Sequence, residues 1–118
     1  MKLTVVAIEA DVIRIQNEGE ITQTDLRAGT DLIRSLLGLD CYARKVLLNL
    51  EKTPYIDSAG VGWLVMTHKN FKEAGGRFVI HSVPPMVSQI LRLLQMPKIL
   101  YLADNESAAR ALALGDKP

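Results

Sequence analysis

The chain has 118 residues, enough for one hydrophobic core but too few for two, and the whole span 1–118 is expected to form a single domain. With 48% hydrophobic and 23% charged residues the composition is that of an ordinary globular protein that folds without disulfides or metals. Fourteen basic against thirteen acidic residues leave a formal net charge of +1, which gives no electrostatic footprint for nucleic acid and no acidic tail.

The first elements are two strands, over residues 3–9 and 12–16, rich in Val and Ile, with Asp11 in a tight turn between them. The opening apolar run is short, is ended by Glu9, and lacks the small-residue cleavage site of a signal peptide. No apolar stretch approaches the roughly 20 residues of a membrane span. A cytoplasmic protein without membrane insertion is therefore expected. Thr24 or Asp25 is suited to cap a helix running to about residue 37, with Leu26, Ile33 and Leu37 on one face and Gly38 as its stop. Residues 45–50, almost continuously apolar, read as a strand covered on both faces. After Thr53-Pro54 comes the Asp57-Ser58-Ala59-Gly60 turn, then a helix to about Ala74 closed by Gly75-Gly76. Residues 77–81 form a further strand. Pro84-Pro85 opens a third helix that should end near Gln95, because Pro97 disfavours helical geometry at Met96. Residues 99–102 form a last short strand, and Asp104 or Asn105 caps a helix through Leu114. The order β-β-α-β-α-β-α-β-α predicts an α/β fold. Parallel strands are joined by right-handed crossovers, preceded by an antiparallel hairpin.

The feature with most chemical content is Tyr55-Ile56-Asp57-Ser58-Ala59-Gly60-Val61-Gly62. It leads from the end of a buried strand into a helix, the position where α/β folds gather ligands. Read as the N-cap, Ser58 has its hydroxyl beside unpaired backbone amides at the positive end of the helix dipole. Gly60 and Gly62 leave room beside it for a bulky group or a partner backbone. A phosphate there, adding a charge of about −1.5 to −2, would alter the surface without unfolding the domain. The plain alternative is that Ser58 only caps the helix, as serines at helix starts usually do.

On the following helix Val61, Leu64, Val65, His68 and Phe71 share one face, which should pack on the sheet. Trp63, Met66 and Asn70 fall on the other, so Trp63 and Met66 form a candidate docking patch beside Ser58, unless a neighbouring helix covers them. Enzymatic readings find little support. Ile56 stands where a nucleophile elbow needs its first Gly, which argues against a Ser58–Asp57–His81 hydrolase. Val65 replaces the third Gly of a dinucleotide loop. The single Cys41 and the two separated histidines, His68 and His81, make no metal site, and no cofactor is expected.

These residues together resemble a known family. Asn49-Leu50, Ile56 to Gly62 as quoted, Gly75-Gly76 before a strand and Gly19-Glu20-Ile21-Thr22 before the first helix are similar to the signature of anti-sigma-factor antagonists of the STAS type. The Pro84-led helix, Lys98-Ile99 and the closing Ala-Leu-rich helix follow in the same order. Thr22 stands where the family usually has an acid, and Pro97 interrupts a segment that is normally Gly-Leu-x-Lys-Ile-like. The resemblance implies a STAS-like mixed sheet of about five strands with about four helices packed on it. It further implies a partner-switching regulator that is not an enzyme, a monomer or weak dimer. The unmodified protein would bind an anti-sigma factor that is also a serine kinase. That partner would phosphorylate Ser58 and be released, and a serine phosphatase would reset the cycle. Asp57, Ser58, Ala59, Gly60 and Gly62 would form the partner surface, with Asp57 shaping the turn, and the Trp63 and Met66 patch read from the helical period would extend it. Other STAS domains serve as scaffold subunits of stress-signalling assemblies or as cytoplasmic subunits of membrane lipid transporters, and those remain the alternatives.

Overall fold

Backbone polarity and β-branched composition are resolved in a five-stranded sheet. The computed structural model describes residues 1–26 and 30–115. Strands β1 (Lys2–Ile8) and β2 (Ile13–Glu18) form the antiparallel hairpin, and the turn containing Asp11 is closed by Glu9 N–H donating to Val12 O at 2.9 Å. Strands β3 (Lys45–Lys52), β4 (Arg77–His81) and β5 (Tyr101–Ala103) add parallel to β2, so the sheet runs β1-β2-β3-β4-β5 in chain order. Four helices join or follow them: α1 (Leu32–Leu37), α2 (Ser58–Ala74), α3 (Pro85–Leu93) and α4 (Glu106–Ala113). The expected mixed α/β architecture is therefore the observed one.

The two faces of the sheet bury different side chains, because successive strand residues point opposite ways. Val46, Leu48 and Leu50 of β3 and Phe78 and Ile80 of β4 join Ile33 of α1, Val61, Leu64 and Phe71 of α2, and Val87 and Leu91 of α3 in the main core. Phe71 lies at its centre, stacked on Phe78 at 5.1 Å and edge-on to Tyr42 at 5.0 Å. Leu47 and Val79 point the other way, onto Ala109 and Ala113 of α4. Those two small side chains, one turn apart, let α4 lie close to the sheet. Burying each large aliphatic or aromatic side chain contributes roughly 1.5–3 kcal/mol, so the helix face read from periodicity is what fixes α2 to the sheet.

The ends of β1, β2 and β3 shift by one or two residues from expectation, and three other boundaries differ for a local structural reason. The first helix does not start at Thr24 or Asp25. The Asp25 carboxylate instead accepts from the Thr22 N–H at 3.0 Å and the Thr22 hydroxyl at 3.1 Å, closing a 3-10 turn over Gln23–Asp25. Helix α1 begins at Leu32, capped by Asp31, whose Oδ1 accepts from Arg34 N–H at 2.9 Å. Residues 27–29 of the expected helix lie outside the described residues. The third helix stops at Leu93, two residues early, and the chain turns through Gln95 at φ +59° into a 3-10 turn, Met96–Lys98, that contains Pro97. That turn draws in the amides of Ile99 and Leu100, both of which donate to Met96 O, so β5 starts at Tyr101 and not at residue 99.

Candidate functional site

The Ser58 turn is built by a second segment that the hairpin delivers. Ile21 N–H donates to Tyr55 O at 3.1 Å, and Asp57 N–H donates back to Ile21 O at 3.2 Å, making a one-residue parallel bridge between Ile21 and Ile56. Below it, buried Asn17 donates to Thr53 Oγ1 at 2.7 Å and to Gly19 O at 2.9 Å, while its Oδ1 accepts from Lys2 N–H at 3.1 Å. This side chain ties β1, the end of β2 and the end of β3 together beneath the site. None of these ties has a periodic signature, and only the Gly19-Glu20-Ile21-Thr22 likeness pointed at the segment.

Asp57, not Ser58, caps α2. Its backbone is extended (φ −98°, ψ −176°), as a cap requires, and its Oδ1 accepts from Gly60 N–H at 2.9 Å. Its Oδ2 accepts from Gln23 N–H, also at 2.9 Å, across to the hairpin segment. The two amides, Gly60 first and Gln23 second, hold the carboxyl below its usual range. Asp57 thus shapes the turn as expected. The expectation that Ser58 is the cap is corrected: Ser58 is the first residue of the helix and is exposed. A shorter Ser hydroxyl loses this place because the carboxylate reaches two amides at once.

That correction changes the electrostatics. The amide that would have sheltered a phosphate is already bonded to a carboxylate, and Asp57 sets a negative charge next to Ser58. Ser58 itself is exposed to solvent.

The two glycines also separate. A Cβ on Gly60 would lie 2.5 Å from both Ile21 O and Ile56 Cγ1, so this residue is glycine to let the helix start touch the bridge. It makes no room for a partner, contrary to expectation, because it is buried. Gly62 is exposed and a Cβ there would meet nothing within 4 Å, so the open surface is at this position. Ser58, Gly62 and Met66 follow one another at four-residue spacing on an exposed stripe, with Met66 56% exposed. Trp63 does not share it: it is half-buried and packs against the main core. The helix-wheel argument missed this because the opposite side of α2 is only partly free. Ala59 is half-buried. Tyr55, 41% exposed just before the turn, was not singled out from the sequence.

The remaining candidates go elsewhere. His81 is buried at the end of β4, and its Nδ1 lies 2.8 Å from Ser82 Oγ. With Asp57 bonded to amides, the Ser58–Asp57–His81 relay is not assembled. His68 is buried on the inner face of α2 with its ring 5.3 Å from that of Tyr101, and burial, then Lys72, lowers its pKa. Among the described residues no His, Cys, Asp or Glu cluster is arranged to hold a metal, and no helix is long and apolar enough to cross a membrane.

Comparison with known proteins agrees with this fold. An anti-sigma F factor antagonist of Paenibacillus polymyxa is 30% identical over 61 residues, 52% of this chain and 52% of that protein, so the match spans about half the length of the curated relative. The protein TM1081 of Thermotoga maritima superposes with a TM-score of 0.78 at 22% identity, covering 91% of each chain. The anti-sigma factor antagonist SpoIIAA in its unphosphorylated form superposes with a TM-score of 0.67 at 16% identity, covering 94% of this chain and 96% of its own, and its phosphorylated form from Bacillus is also similar. At these identities the superpositions establish the fold. The STAS domain model matches residues 3–109, from the first strand into α4, and on that match the chain belongs to the STAS domain family.

Proposed function

We propose that this protein is an anti-sigma-factor antagonist that works as a cytoplasmic partner switch, folded as one domain over residues 1–118. It is the substrate of a kinase and not itself an enzyme. The observation that carries the reading is the exposed Ser58 hydroxyl on the first residue of α2, fixed by a turn whose cap is a different residue. Modification of Ser58 leaves the cap intact and changes only what a partner meets. In the unmodified state the stripe of Ser58, Gly62 and Met66, flanked by Tyr55 and the edge of Trp63, binds an anti-sigma factor that is also a serine kinase. Phosphate on Ser58 places about −1.5 to −2 charge beside the Asp57 carboxylate, and a partner surface that accepted one negative charge now meets two or three. The complex dissociates, and a serine phosphatase restores it. SpoIIAA, of the same fold, occurs in unphosphorylated and phosphorylated forms, which supports the reading.

The test is affinity capture from host lysate with wild type, Ser58→Ala and Ser58→Asp as baits, followed by phosphopeptide mapping of wild type incubated with the captured kinase and ATP. The expected result is an ATP-binding anti-sigma factor held by Ser58→Ala and lost with Ser58→Asp, and phosphate found on Ser58. Equal capture by both variants would overturn the charge switch.

A further inference from the structure

The far end of α2 carries a different kind of surface. Seventeen residues of helix, about 25 Å at 1.5 Å per residue, separate Ser58 from Ala74. Between the last turns of α2 and the Met96–Lys98 turn lies a cleft of about 570 Å³, lined by His68, Lys69, Lys72, Glu73, Lys98 and Ile99. It adjoins a hollow of about 230 Å³ that shares His68 and Lys72 and reaches Tyr101 at the sheet edge. Arg14, Arg34, Arg44 and Arg110 each have a carboxylate partner. The three cleft lysines have none within 4 Å among the described residues; Lys98 Nζ donates only to Gln95 Oε1, at 3.2 Å.

The cleft lining therefore carries three ammonium groups against Glu73, and burial lowers the pKa of His68. The C-terminal end of α2 contributes only about half a negative charge, which Lys72 in the last turn offsets. Lys69 of α2 and Lys98 of the Met96–Lys98 turn bring their ammonium groups to the cleft from two different elements. Ammonium groups that line one cleft without carboxylate partners are suited to the oxygen atoms of a multiply charged anion, and phosphate oxygens accept from ammonium groups in short, charge-assisted hydrogen bonds.

We propose that this cleft binds the phosphate groups of a small, multiply phosphorylated ligand through Lys69, Lys72 and Lys98. The adjoining hollow lets the ligand be larger than inorganic phosphate. A soluble organic phosphate and a phospholipid headgroup share this chemistry. The site is independent of Ser58, at the opposite end of the helix, and gives the protein a second input.

The test is titration of the full chain with pyrophosphate at low salt, by calorimetry and by following the His68 and Tyr101 ring resonances. A parallel arm measures sedimentation with phosphatidylcholine vesicles with and without phosphatidylglycerol. Lys69, Lys72 and Lys98 are exposed, so Lys72→Glu/Lys98→Glu and, separately, Lys69→Glu should unfold at the wild-type temperature. The expected result is saturable pyrophosphate binding that perturbs both rings, weakens about tenfold or more in the double variant, weakens with added salt, and is unchanged in Ser58→Ala. Capture only by the anionic vesicles, lost in the double variant, supports the headgroup source. Absence of binding in both arms, or binding undiminished in the double variant and in Lys69→Glu, would overturn the proposal.

Discussion

The two glycines at the start of α2 make a matched pair. Alanine at position 60 puts a methyl group 2.5 Å from Ile21 O and from Ile56 Cγ1, and neither neighbour is free to move. Ile56 is fully buried, and Ile21 O accepts the Asp57 N–H. Overpacking of this kind typically costs about 1–3 kcal/mol. Alanine is favoured over glycine in a helix by up to about 1 kcal/mol, and by less in the first turn. The net expectation for Gly60→Ala is a loss of about 1–2 kcal/mol. At Gly62 the same methyl group meets nothing within 4 Å, so only the propensity gain remains, and Gly62→Ala should be more stable by up to about 1 kcal/mol. Urea unfolding of both variants and wild type measures the difference between the variants, about 1–3 kcal/mol. Because the close contact lies on the bridge that holds Asp57, Gly60→Ala should also weaken capture of the proposed partner, whereas Gly62→Ala can weaken it only by altering the exposed surface. A Gly60→Ala variant as stable as Gly62→Ala would refute the close-approach argument.

Other outcomes follow from the same geometry. Asp57 has its folded pKa depressed by the Gly60 and Gln23 amides, so its stabilisation is present above the unfolded carboxylate value and is lost as pH falls through the folded one. Urea midpoints of wild type should fall toward those of Asp57→Asn on acidification below about pH 4, the unfolded Asp range. Asn17→Leu removes donors to Thr53 and Gly19 and the acceptor for Lys2; it should cost about 2–3 kcal/mol in urea unfolding, more than a surface change could. Met66→Ala should leave stability within about 0.5 kcal/mol while weakening capture of the proposed partner, and Trp63→Ala should cost about 2 kcal/mol because Trp63 is half-buried against the main core.

What could be read from the residues follows the range of the interaction that decides each feature. Helix α2 and strands β3 and β4 were legible to the residue or nearly so, since apolar periodicity and the Gly75-Gly76 stop act locally. Gly75 indeed closes α2 in the left-handed region at φ +89°. The start of α1 was misplaced because Thr24 and Asp25 have cap chemistry, but Asp25 turns back to Thr22 over three residues and never continues as a helix. Ser58 was mistaken for the cap since both Asp and Ser favour that position, and the choice is made by Gln23, thirty-four residues away. The same distance hid the role of Gly60, whose close neighbour is Ile21. Trp63 is half-buried by packing on the main core, a long-range contact that the helical period alone does not encode.

A sheet whose strands are added in chain order has a consequence for synthesis. Each new strand finds its neighbour already made, so none must insert between two older ones, and pairing can advance as the polypeptide emerges. Only α4 breaks this vectorial sequence: Arg110 reaches back to Glu9 at 2.6 Å and to Asp11 at 3.1 Å, and Ala109 and Ala113 cover Leu47 and Val79. Until that helix has left the ribosome, one face of the sheet remains wet, and the growing chain presents an apolar surface that chaperones would recognise.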